Sequence, residues 1–76
     1  MIPKVGDAVR LTARGREHFR YALSKPGNKL AKGGVLVHVG VGQGRNAGRL
    51  FFDVRLYGNK TVYRYATCLW ERDDPR

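Results

Sequence analysis

The sequence predicts an all-β domain: one small, strongly bent sheet of about five short strands that closes on itself as a barrel. Three observations predict it. The first is a hairpin with a readable register, Leu50–Tyr57 and Lys60–Tyr65 about the loop Gly58-Asn59. Gly and Asn tolerate the positive φ of tight primed turns. Folding there sets Asp53 opposite Arg64 and puts Phe52, Val54 and Leu56 on one face with Tyr63 and Tyr65. A slip of one residue would scatter that agreement. The second is alternation in the first half, where Val9 and Leu11 oppose Arg10 and Thr12. The third is length, since 76 residues make one domain too small for a useful sandwich.

The remaining elements follow in chain order. Val5–Thr12 is a first strand. Arg14–Leu23 is an early loop whose Phe19 and Leu23 at i,i+4 fit one or two helical turns, with Thr12 as cap and Gly15 as a weakening residue. Lys25-Pro26-Gly27-Asn28 is a turn on composition. Gly33-Gly34 opens a second strand, Val35–Val41, whose Val35, Val37, Val39 and Val41 fall on one face and leave His38 to solvent. Gly40 to Arg49 is a Gly-rich basic loop. After Tyr65, Ala66–Glu71 reads as a tight turn and a short last strand. The domain is expected to span residues 1–72, with a disordered tail over 73–76.

Lys4-Val5-Gly6-Asp7-Ala8-Val9-Arg10-Leu11, then Lys32-Gly33-Gly34-Val35-Leu36-Val37-His38-Val39, resembles the opening of SH3-like small barrels of the KOW and Tudor type. Those begin with a hydrophobic-Gly-Asp-x-Val strand and meet a Gly-x-Val strand after a loop, here the long insertion Ala13–Ala31. The resemblance implies an SH3-like small barrel. The second half, Asp53–Tyr65 through Leu69-Trp70-Glu71, is similar to small uncharacterised proteins of phages and proteobacteria. That likeness implies a fold more than a function.

Composition and spacing argue against several function classes. Cys68 is the lone cysteine, which excludes a disulfide framework and favours a reducing setting. No apolar run reaches the ~18 residues of a membrane span, and Met1–Asp7 lacks the apolar region of a secretory signal. A soluble, cytoplasmic protein is expected. Ser24 has no neighbouring base, and His18 and His38 stand apart from any nucleophile. One Cys and two separated His match no zinc spacing, so neither a metal nor a cofactor is expected. Gly40, Gly42 and Gly44 precede a strand rather than a helix, which argues against a nucleotide-cradling loop. No enzyme is expected. Cys68, beside Leu69, reads as a small buried hydrophobe, and Phe19, Phe52, Tyr63, Tyr65 and Trp70 read as core.

The positive signal is charge. Fifteen Lys and Arg against six Asp and Glu give a net charge of +9. Such a footprint fits a polyanion binder. The expected partner is nucleic acid, DNA or RNA, held through phosphates. Arg14, Arg16, Arg20, Lys25, Lys29 and Lys32 would act from the early loop, and Arg45 and Arg49 from the Gly-rich loop. The alternative is a protein-interaction module of phage or mobile-element type that docks the same face on an acidic protein surface. Phe51 and Tyr57 lie on the face opposite Phe52, where they could stack on unpaired bases, dock a protein or be covered by the early loop.

Overall fold

The computed structural model describes residues 2–73. The strands are β1 (Ala8–Leu11), β2 (Gly34–Val41), β3 (Leu50–Leu56), β4 (Val62–Ala66) and β5 (Trp70–Arg72). Two short helices, α1 (Ala13–His18) and α2 (Arg20–Leu23), fill the early segment. One-turn 3-10 helices stand at Leu30–Lys32, Gly44–Asn46 and Thr67–Leu69. The strands form one antiparallel sheet in the order β4-β3-β2-β1-β5.

The β3/β4 ladder carries the expected register, with Phe52 opposite Tyr65, Asp53 opposite Arg64 and Val54 opposite Tyr63. The connection differs from a primed two-residue loop. The ladder stops at Arg55 and Val62, and among the described residues none other than glycine has positive φ. A primed type I turn needs positive φ at both central residues, which Asn59 does not supply. Instead Asn59 N–H donates to the Leu56 carbonyl at 3.0 Å, with Gly58 at φ +80° in the third position, as in a type II turn. The Asn59 side chain then accepts from Thr61 N–H at 3.1 Å, and Lys29 Nζ donates to the Gly58 carbonyl at 2.6 Å.

Strand β2 departs from simple alternation. Its pairing with β3 shifts between Leu36 and His38, so Val37 is an extra, bulged residue. Leu36 is thereby opposite Val54, and Val39 opposite Phe52, with both packed on the core. The single valine face expected from the sequence is broken: Val37 and Val41 are exposed, while Leu36 is fully buried. His38 points to solvent as expected.

The core holds Val9, Leu11, Leu30, Leu36, Phe52, Val54, Leu56, Leu69 and Trp70, with Phe19, Ala22, Leu23, Val39 and Tyr65 packed against it. The expected closed barrel is not formed. Strands β4 and β5 are the two edges of the sheet, and the Thr67–Leu69 turn carries the chain past the core so that β5 pairs with β1. The open side is covered by the helical segment instead. Thr12 fastens it there, capping α1 by accepting from Gly15 N–H at 3.0 Å while donating to the Cys68 carbonyl at 2.7 Å.

Two further readings are corrected. Cys68 is exposed, because the 3-10 turn aims Leu69 inward and turns its neighbour out. Tyr63 is exposed rather than core, since β4 is an edge strand whose face extends beyond the buried cluster. Asp73, the first residue of the expected tail, donates its N–H to the Ala8 carbonyl at 2.9 Å, next to the last β5/β1 pair. The rest of the expected tail, 74–76, lies outside the described residues.

Candidate functional site

Every carboxylate among the described residues is engaged. Asp7 accepts from Lys4 N–H at 2.8 Å and lies 4.0 Å from Arg72. Glu17 pairs with Arg20 at 3.4 Å one helical turn on, and Arg10 holds both Glu71 at 2.9 Å and Asp73 at 3.8 Å. Asp53 sits between Arg64 and His38, 3.3 Å from each. The negative charge is thus consumed at β1, β5, the helical pair and the middle of the β3/β4 hairpin.

All eight cations singled out by the sequence are exposed. Arg20 is the one of them tied to a carboxylate. Arg14 and Arg16 lie on α1, and Lys25 follows α2 with its ammonium 5.0 Å above the Tyr21 ring. Lys29 precedes the first 3-10 turn and Lys32 ends it, while Arg45 and Arg49 belong to the β2–β3 hairpin tip. These do not make one continuous patch. The eight residues of β2 separate Lys32 from that tip, a span of roughly 26 Å at the usual strand rise. The arrangement is two basic ends joined by a hairpin.

Sequence reasoning missed Arg64 as part of the site, because its pairing with Asp53 accounted for it. Its guanidinium also stacks 3.8 Å above the Phe51 ring, and that ring lies directly over Gly40, where a Cβ would collide with it. Phe51 is therefore half-covered rather than an open platform, whereas Tyr57 remains exposed. Arg64, Arg49, Gln43, Phe51 and Tyr65 line an open groove of about 750 Å³ beside the hairpin tip.

At the floor of that groove, burial and then the neighbouring Tyr63 push the Tyr65 phenol above its ordinary value of 10.0. A phenol raised in the folded state holds its proton more tightly there than in the unfolded chain. Its contribution to stability is complete below about pH 10 and is lost as pH rises from there through the folded value. Thermal melts over an alkaline pH series should show that loss, and Tyr65→Phe should blunt it. An alkaline limb unchanged in Tyr65→Phe would acquit the phenol.

Ser24 Oγ donates to the Tyr21 carbonyl at 2.6 Å, a local helix-end bond. Among the described residues no cluster of three or more His, Cys, Asp or Glu could hold a metal ion, and no helix is long and apolar enough to cross a membrane. No protein-family model, curated protein or solved structure matches this chain. The site must therefore be read from its own geometry.

Proposed function

We propose that the chain is a non-catalytic binding module that holds nucleic acid through its phosphates. The observation that carries this reading is the distribution of charge. The described carboxylates are consumed in ion pairs, while Arg14, Arg16, Lys25, Lys29, Lys32, Arg45 and Arg49 pair with none of them. Unneutralised Arg and Lys at both ends of a hairpin suit a regular polyanion better than a single small anion. In the same terms, the scaffold is an SH3-like small barrel left open between β4 and β5. The opening motifs support that, because they fall on the turn before β1 and on the first residues of β2.

A salt titration of binding to generic duplex and single-stranded nucleic acid tests it. Affinity should fall steeply with salt, because each neutralised phosphate releases condensed counterions. Arg45→Ala with Arg49→Ala should weaken binding similarly across sequences and flatten the log–log slope by about 2 units, one per contact. Absence of binding to DNA or RNA at low salt would discard the proposal. The second reading, docking on an acidic protein, is favoured by Val41 and Leu50, which pair at the hairpin tip and are both exposed. It predicts one saturable partner, with losses concentrated in a few central residues.

A further inference from the structure

Strand β4 is an edge of the sheet, and its outer flank is not featureless. The groove beside the hairpin tip, with Arg49 and Arg64, ends at Tyr65. A second open groove of about 390 Å³ starts at the same Tyr65 and runs between the early segment and the β3–β4 turn, past Phe19 and Tyr63 to Asn28, Lys29 and Asn59. The two share Tyr65, but Arg64 and Phe51 project to the opposite face of the β3/β4 ladder from Tyr63 and Tyr65, so the second groove is a trough of its own on the Tyr63 face. Among the described residues no carboxylate lines either groove, although Asp53 pairs with Arg64 behind the first.

The aromatic rings in the trough differ in freedom. Tyr65 is fixed between Phe19, edge-on at 5.8 Å, and Trp70 at 5.2 Å. Tyr63, two residues earlier on the same face of β4, is 49% exposed, and among the described residues no ring or cation stacks on it. A free aromatic face beside a cation, with no carboxylate among the described lining residues of its groove, is the composition of a surface that stacks unpaired bases while phosphates are gripped alongside. Duplex DNA keeps its base faces stacked inside and offers only phosphates and groove edges.

We propose that this trough binds single-stranded nucleic acid, with a base on Tyr63 and a phosphate held by Lys29 beside it. This rests on the phosphate-binding reading and narrows it to a substrate class. It assigns Tyr63 the stacking role that the sequence offered to Phe51 and Tyr57.

The test measures fluorescence anisotropy of a labelled mixed-sequence oligonucleotide, single-stranded and as a duplex of equal length, with the full chain. The single strand should bind more tightly. Tyr63→Ala should weaken it roughly 5- to 150-fold, the cost of one lost stack, and leave duplex affinity within about 2-fold. Tyr63→Phe should bind like the wild type, because the ring face is kept, and Tyr57→Ala should change nothing. Matching thermal melts would show that these exposed substitutions leave the fold intact. Equal binding of single strand and duplex, both salt-sensitive and indifferent to Tyr63→Ala, overturns the trough and spares the phosphate reading. No binding of either overturns both. Hydrogen exchange supplies a further outcome: protection of β4 amides by a second copy of the chain, and not by the oligonucleotide, would reassign the edge to strand addition and overturn the proposal.

Discussion

Phe52→Ala is expected to remove about 3–5 kcal/mol of folding stability and to lower the midpoint of thermal unfolding by about 15–30 °C. The side chain is 3% exposed, sits opposite Val39 on one side and Tyr65 on the other, and belongs to the cluster that includes Leu36, Val54 and Trp70. Truncation loses the transfer energy of the ring and leaves a cavity that three strands cannot collapse around without giving up register. A chain of 76 residues has roughly 4–11 kcal/mol to lose in total. The variant therefore gives up between about a quarter and all of that margin. Phe51→Ala is the matched comparison. Its ring is half-covered on the outer face and held mainly by Gly40 and Arg64, so its loss should cost about 1 kcal/mol, the scale of a partly exposed cation–π contact. Urea unfolding of both variants checks the ranking. Because a one-residue slip exchanges the two faces, the reverse order would refute the register of the whole hairpin.

That register was legible because independent signals agreed on it. An opposite-charge pair at Asp53 and Arg64, three alternating apolar residues and a Gly-Asn turn all pointed the same way. The turn escaped, and with it the strand ends at Tyr57, Lys60 and Thr61, since Gly58 alone meets the demand for positive φ and Asn59 uses its side chain instead. Strand β2 was misread for a different reason. Four valines in phase make a perfect period-2 pattern, and a bulge is invisible to any rule that assumes an unbroken period. What overrides the pattern is tertiary: Leu36 and Val39 both meet β3 residues of the core, which an odd spacing permits only if Val37 is extruded. Cys68 failed on similar grounds, because adjacency to Leu69 does not say which residue of a one-turn helix faces inward.

The candidate site was legible in composition and illegible in arrangement. Charge counts named the cations, and the Arg20–Glu17 pair could be read from helical spacing. Nothing local said that Arg10 would gather two C-terminal carboxylates from β5 and its end, since that pairing spans nearly the full chain. Nor could the sequence show that β4 would be an edge. Its Tyr63 and Tyr65 look alike as alternating aromatics, yet one is fixed between two rings and the other left open. The difference comes from where the sheet stops.

Gly15→Ala puts a local rule and a tertiary contact in direct opposition. In a helix Ala is better than Gly by about 1 kcal/mol, and the substitution also restricts the unfolded chain. On propensity alone, α1 should gain stability. The structure predicts a loss of about 1–3 kcal/mol, the usual cost of forcing extra volume into a packed site. Gly15 is buried where α1 crosses the Thr67–Leu69 turn, and a Cβ there would run into the Leu69 carbonyl and meet Leu11 Cδ2 at 3.0 Å. The carbonyl has no freedom to retreat, because it accepts from Thr12 N–H at 3.0 Å while Thr12 caps the same helix. Relief would have to come from lifting α1 off the turn, which uncovers Leu69 and the open side of the sheet. Arg16→Ala, exposed on the same helix, should stay within about 0.5 kcal/mol of the parent. Urea unfolding of the two variants decides the matter. A gain of about 1 kcal/mol in Gly15→Ala would mean that propensity governs this segment, and that α1 does not rest against the turn as described.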